Sequence, residues 1–198
     1  INNSISKYDW QYILSASLLI SVFILTDLIG VIDKEYFYFV PKLISDQPYR
    51  IFTSILIHAD LNHLLSNIGG IIITRYFLMR LGIESRYFYV KFILICSFLN
   101  FFIIWFYEKI LSFFNIYPNY AALGFSGIIY ALFGFLLLTS FYGKKYFLGK
   151  EIGFQSNYEV QKMSKTICFI GLMFSFLPGV SLLGHLSGFI AGCFLFLI

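Results

Sequence analysis

The chain has 198 residues, 59% of them hydrophobic and only 12% charged, with a formal net charge of +4. A soluble domain carries roughly 25% charged residues, so this chain lacks the polar surface that water would demand, and a soluble globular protein is excluded. The surplus of basic residues needs no nucleic acid to explain it, because anionic lipid at a cytoplasmic membrane face attracts such charge.

In hydrocarbon every backbone polar group must be bonded within its own element, so the expectation is an all-α membrane protein. Apolar runs long enough to span occupy Tyr12–Ile32, Leu61–Leu81, Tyr87–Tyr107, Ala121–Tyr142, Thr166–Val180 and Ser181–Ile198, the last two separated only around Pro178-Gly179. They predict a bundle of six transmembrane helices forming a single domain over residues 1–198. Between the first two runs, residues 33–60 contain Pro41 and Pro48 among many apolar residues. That stretch reads as a long structured loop at the membrane surface. Lys7 and Asp9 precede a run long enough to span, which does not fit a signal peptide. Ile1 stands where a native start would have Met, so residues are expected to precede it.

Basic residues orient the bundle. Lys7, Arg75, Arg80, Arg86, Lys91, Lys144, Lys145, Lys150, Lys162 and Lys165 fall on one side, and Lys34, Lys42, Arg50 and Lys109 on the other. Ten against four places the first side, with the N-terminus, in the cytoplasm. Cys96, Cys168 and Cys193 each sit inside an apolar run without metal-ligand spacing, and read as packing residues.

Polar side chains at membrane depth are costly and mark function by default. Gly124-Phe125-Ser126-Gly127 opens the fourth run, with Tyr130 on the face of Ser126 and a neighbouring stripe of Gly127, Ala131 and Gly134. Alone, this step reads as helix packing or as chemistry. It is not the α/β-hydrolase elbow, since Ile128 stands where that motif needs glycine. In the sixth run His185, Gly188 and Gly192 share a face on which another helix can approach closely. The imidazole could bond a carbonyl for packing, or serve as the base without which a serine is no nucleophile. At the start of the second run His63 and Asn67 are four apart and could donate together to an oxyanion. His58 and His63 are both possible metal ligands, but their spacing puts them off a common helix face and no third ligand is in register. Asp27 and Asp60 read as capping or interface carboxylates.

Together these residues resemble the rhomboid intramembrane proteases of the prokaryotic six-helix core type, over nearly the whole chain. Gly124-Phe125-Ser126-Gly127 is similar to that family's Gly-X-Ser-Gly motif, and His185 with Gly188 and Gly192 to its sixth-helix motif. The resemblance implies an intramembrane serine endopeptidase with Ser126 as nucleophile and His185 as base. Tyr130 would pack on the base, and His63, Asn67 and the Ser126 amide would form the oxyanion hole. His58 matches a position in a hydrogen-bond network beneath the first loop, and Arg50 resembles the arginine of a Trp-Arg pair there. Two positions depart from the pattern. Tyr49 replaces the tryptophan, and Leu78-Met79-Arg80-Leu81-Gly82 lacks a glutamate often found before the glycine. The family implies no metal or cofactor. Its substrates would be single-span membrane proteins cut at a helix-weakened site near the outer face of the cell membrane. They would enter between the second and fifth helices, past a movable loop at Pro178–Leu183. A catalytically dead relative that binds membrane proteins would lack the serine or the histidine. A transporter or channel would want ionisable groups around a midplane cavity.

Overall fold

Six helices form around the predicted runs, and most depart from the hydropathy windows for a local reason. In the computed structural model, residues 6–83, 85–117, 120–142, 144–147, 150–153, 158–177 and 180–197 are described. The junction at Pro178-Gly179 therefore lies outside the described residues.

Helix α1 (Trp10–Phe23) ends earlier than predicted and continues as a π-helical turn over Ile24–Leu28. There the Thr26 hydroxyl donates back to the Val22 carbonyl (3.0 Å), and Asp27 pairs with Lys34 (2.6 Å). Back-bonding of this kind competes with the regular ladder. Helix α2 (Leu61–Arg80) is capped by Asp60, whose carboxylate accepts from the His63 amide at 2.8 Å. Its end closes through backbone alone: Ile83 N–H reaches the Leu78 carbonyl (2.9 Å) and Gly82 N–H that of Met79 (3.0 Å), with Gly82 at φ +70°. This is a Schellman closure, and it serves the turn from which the family's glutamate is missing.

Helix α3 (Phe88–Phe113) runs six residues past the predicted end because Glu108 and Lys109 are good helix formers that an apolar window discards. Helix α4 (Ser126–Tyr142) starts five residues later than predicted. The preceding segment is extended instead, and Ala122 exchanges two backbone bonds of 2.9 Å with Phe39 in an isolated antiparallel bridge. Two short strands, β1 (Lys144–Phe147) and β2 (Lys150–Gly153), then pair antiparallel where no strand was expected. Helix α5 (Tyr158–Phe174) begins eight residues before its apolar window, because its first turns carry Glu159, Gln161, Lys162 and Lys165. Gln161 donates from Nε2 to the Ser140 carbonyl of α4. Helix α6 spans Leu182–Leu197.

The loop before α2 is structured as expected. It holds single turns at Lys34–Phe37, Pro41–Leu43, Arg50–Thr53 and Ser54–Leu56. Arg50, only 4% exposed, ties it together: Nη1 donates to the carbonyls of Glu35 (3.0 Å) and Tyr38 (2.6 Å), and Nε to Gln47 Oε1 (2.5 Å). Beside it Tyr49 is exposed and donates its hydroxyl to the Tyr36 carbonyl at 3.2 Å. An aromatic thus stays where the family's tryptophan would be. Phe39 stacks on Phe101 of α3 at 4.3 Å, pinning the loop to the bundle.

At the opposite end of α1, Asp9 accepts two bonds from Arg75 of α2 (2.8 and 2.7 Å). The Arg75 guanidinium holds the Asp9 carboxyl below its usual range. Helix α4 lies at the centre, with every described side chain from Gly127 to Leu136 buried. Outward faces of the other helices carry exposed Ile13, Leu14, Ile72, Phe98, Phe106 and Phe169. A contiguous apolar surface on this scale suits hydrocarbon rather than water. By length and apolarity, Trp10–Leu28 and Phe88–Phe113 are each able to cross a membrane, and Ser126–Tyr142 and Leu182–Leu197 are shorter apolar helices.

Candidate active site

The closest approach in the bundle is the seam between α4 and α6. A Cβ added to Gly188 would land on the Gly127 carbonyl oxygen, one added to Gly192 on that of Ala131, and one added to Gly134 on that of Phe189. The small-residue faces seen in the sequence therefore oppose one another with backbone against backbone. Van der Waals packing of this kind holds helices together where lipid removes any hydrophobic drive between them. Across α6, the Ser187 hydroxyl meets Asn100 Oδ1 of α3 at 2.5 Å and fixes the third helix to the same seam.

Ser126 and His185 stand at one end of this seam. His185 Nε2 lies 3.0 Å from Ser126 Oγ, and the Tyr130 ring stacks on the imidazole at 3.9 Å with planes 14° apart. His185 is buried and Ser126 half-buried, so the hydroxyl can be reached from outside while the base is held within. Ser126 is the first residue of α4. Its amide is therefore one of the donors that a helix start leaves free.

Gly124 brings the second helix to the same place. It sits at φ +101°, a conformation that a side chain would strain. An added Cβ there would lie 2.5 Å from His63 Cε1, 2.6 Å from its Nε2 and 3.6 Å from Asn67 Nδ2. The glycine thus leaves room for both α2 side chains beside the segment leading to Ser126. His63 Nδ1 accepts from the Ala59 amide at 3.5 Å, which leaves the ring proton on Nε2, the atom facing Gly124. Asn67 is 2% exposed, and its Nδ2 has no hydrogen-bond partner among the described residues. A buried donor without an acceptor costs about 1–3 kcal/mol. An arriving negative oxygen would relieve that cost.

His58 lies behind His63, with ring centroids 5.1 Å apart, and its Nδ1–H donates to the Leu56 carbonyl at 3.2 Å. Burial, with a smaller push from His63, drives its pKa down to about 4, so it stays neutral. Arg50 is farther off and acts on the loop alone, in the contacts described above. Of the residues singled out in the sequence, Ser126, His185, Tyr130, His63, Asn67 and Gly124 thus converge. Gly127, Gly188 and Gly192 build the seam beneath them, and His58 and Arg50 support the loop above α2.

Three participants were not legible beforehand. Ser175, just past α5, places its Oγ 3.0 Å from His185 Nδ1. Ser181 caps α6 by accepting from the Gly184 amide (3.2 Å), and its Oγ lies 2.7 Å from the Tyr120 hydroxyl. Asn100 sits mid-helix in α3. Their contacts with His185, Tyr120 and Ser187 reach across to other elements, so no spacing announces them.

A family model described as Rhomboid domain matches residues 45–198. A comparison with curated proteins finds no match. The matched span holds every residue of the site and leaves α1 outside it. With more than half of the chain matched, the protein is an integral membrane protein and belongs to the rhomboid family of intramembrane serine proteases, a family that acts on membrane-protein substrates.

Proposed function

We propose that this protein is an intramembrane serine endopeptidase that works through a Ser126–His185 dyad. The observation carrying the reading is the 3.0 Å contact between Ser126 Oγ and His185 Nε2 beneath a stacked Tyr130 ring. The Ser126 oxygen attacks the carbonyl carbon of a substrate peptide bond as its proton passes to His185 Nε2. The carbonyl oxygen becomes an oxyanion, facing His63 Nε2–H, Asn67 Nδ2 and the Ser126 amide. As the C–N bond breaks, His185 returns the proton to the leaving amine. An acyl-enzyme remains, and water activated by the same imidazole hydrolyses it. Losing one oxyanion donor typically costs ~3 kcal/mol of barrier.

Substrates are single-span proteins whose helix is weakened near the cut, since an intact helix hides its carbonyls. They reach the site between α2 and α5. Among the described residues α5 packs closely against α4 alone, which favours that side as the opening. Cross-linking α2 to α5 without loss of cleavage would remove this gate from the account. All six helices span the bilayer of the cell membrane, with the N-terminus in the cytoplasm and the site near the outer face. Helix α1 belongs to the same domain: Tyr12 stacks on Tyr89 of α3 at 4.4 Å, and Asp9 pairs with Arg75.

The test is cleavage of a single-span substrate by detergent-solubilised protein, alongside labelling by a fluorophosphonate. Wild type cuts the substrate and is labelled at Ser126; Ser126→Ala and His185→Ala do neither. Cleavage surviving in Ser126→Ala would end this reading. Binding without cleavage by wild type would point instead to a substrate-binding relative.

A further inference from the structure

We propose that Ser175 is a positioning residue that holds His185 in the tautomer able to act as base. The proposal rests on the dyad reading above and deepens it. A neutral imidazole carries one proton. If that proton sat on Nε2, the nitrogen facing Ser126 could only donate, and the serine could not be activated.

The protein has an answer on the other side of the ring. Ser175 Oγ, on a residue only 2% exposed, is 3.0 Å from His185 Nδ1 and 3.3 Å from the Gly171 carbonyl. A carbonyl only accepts. A Ser175 proton directed at Gly171 leaves its oxygen lone pairs facing Nδ1. Nδ1 is then the donor, and Nε2 is left bare toward Ser126. The bonds run one way: Ser126 O–H to Nε2, Nδ1–H to Ser175 Oγ, and Ser175 O–H to the Gly171 carbonyl. Tyr130 closes the arrangement by donating its hydroxyl to the same carbonyl at 2.5 Å while its ring covers the imidazole.

When Nε2 takes the Ser126 proton, the positive charge is shared with Nδ1–H. The Ser175 oxygen already faces that atom. A hydroxyl backed by a carbonyl thus takes the orienting part that a carboxylate plays in a triad. Among the described residues the structure supplies no acid at this position: Asp60 caps α2 and Asp27 pairs with Lys34.

The experiment uses the full chain in detergent, with four forms: wild type, Ser175→Ala, Ser175→Thr and Ser175→Val. Thr and Val add the same branch and differ in the hydroxyl, so their ratio isolates it even if the branch perturbs packing. Three readouts are taken: kcat and KM on a single-span substrate, the rate of fluorophosphonate labelling at Ser126, and the ¹⁵N tautomer signature of His185. With only three histidines in the chain, His185 is readily assigned by its own substitution. Expected for Ala are about a tenfold fall in kcat and in labelling rate at unchanged KM, and a mixture of tautomers in place of Nδ1–H. Tenfold corresponds to ~1.4 kcal/mol of barrier, the size of one good hydrogen bond. Val falls about tenfold below Thr. Equal rates for Val and Thr, or an unchanged tautomer and labelling rate in Ala, overturn the role of Ser175. A wild type that neither cleaves nor labels overturns the dyad itself, a different result.

Discussion

Replacing Gly188 by alanine tests the seam on which the dyad depends. The new Cβ would overlap the Gly127 carbonyl oxygen and sit 3.0 Å from its carbon and 3.1 Å from the Gly127 Cα. All three are backbone atoms, so no flexible side chain can yield. Relief requires α4 and α6 to separate by about 1 Å, and overpacking of this kind costs roughly 1–3 kcal/mol. Gly127 adjoins Ser126, and Gly188 lies one turn beyond His185. The 3.0 Å contact between Oγ and Nε2 would stretch to about 4 Å, beyond hydrogen-bond range. Misplacement by 1 Å typically lowers a catalysed rate ~100-fold. Gly69→Ala is the control: nothing lies within 4 Å of a Cβ there, and alanine is the better helix former by about 1 kcal/mol. The assay is fluorophosphonate labelling together with thermal unfolding in one detergent. Gly188→Ala should label about a hundredfold more slowly and unfold at lower temperature, whereas Gly69→Ala should match wild type or exceed its Tm. Wild-type labelling and Tm in Gly188→Ala would refute the reasoning from backbone contact to catalysis.

Asn67→Ala removes the unpartnered donor and should lower kcat by about 10²–10³-fold with little change in KM, as read from steady-state cleavage of a single-span substrate. Arg50→Lys keeps the charge but lacks the fork that reaches two carbonyls and Gln47 at once. Its loop should open, with faster proteolysis and hydrogen exchange over residues 34–56 and a lower Tm. His58 is buried neutral, its pKa held at about 4 against 6.5 when unfolded. Its contribution to stability is therefore full above pH ~6.5 and lost as pH falls through about 4. In acid denaturation monitored by circular dichroism, His58→Gln should lose less stability than wild type over that window.

The site was readable to the extent that its residues repeat along helices. Gly127, Ala131 and Gly134 faced His185, Gly188 and Gly192 by spacing alone, because helix geometry ties i, i+3, i+4 and i+7 to one side. His63 and Asn67 followed the same rule. Ser175 and Asn100 did not, since each reaches its partner from a different helix, and a lone serine or asparagine in an apolar run carries no phase. Helix ends failed where apolarity and helicity part company. The polar first turns of α5 are helical yet hydrophilic, and residues 121–125 before α4 are apolar yet not helical. The β1–β2 pairing gave no alternation strong enough to mark it. That apolar helices pack together was legible from the composition and the apolar runs; which turn of α1 widens depended on a threonine bonding backwards.

Arg50 grips the first loop through the carbonyls of residues 35 and 38, hydrogen-bonding one side chain, that of Gln47, and lying over the ring of Tyr49. Main-chain oxygens are present whatever amino acid occupies those two positions. The outer surface of the loop is therefore free to drift in sequence, adapting to different lipids or partners, while its path over the bundle stays the same. Variation and shape are decoupled at those positions, while the clamp, its glutamine and the tyrosine beneath it are kept.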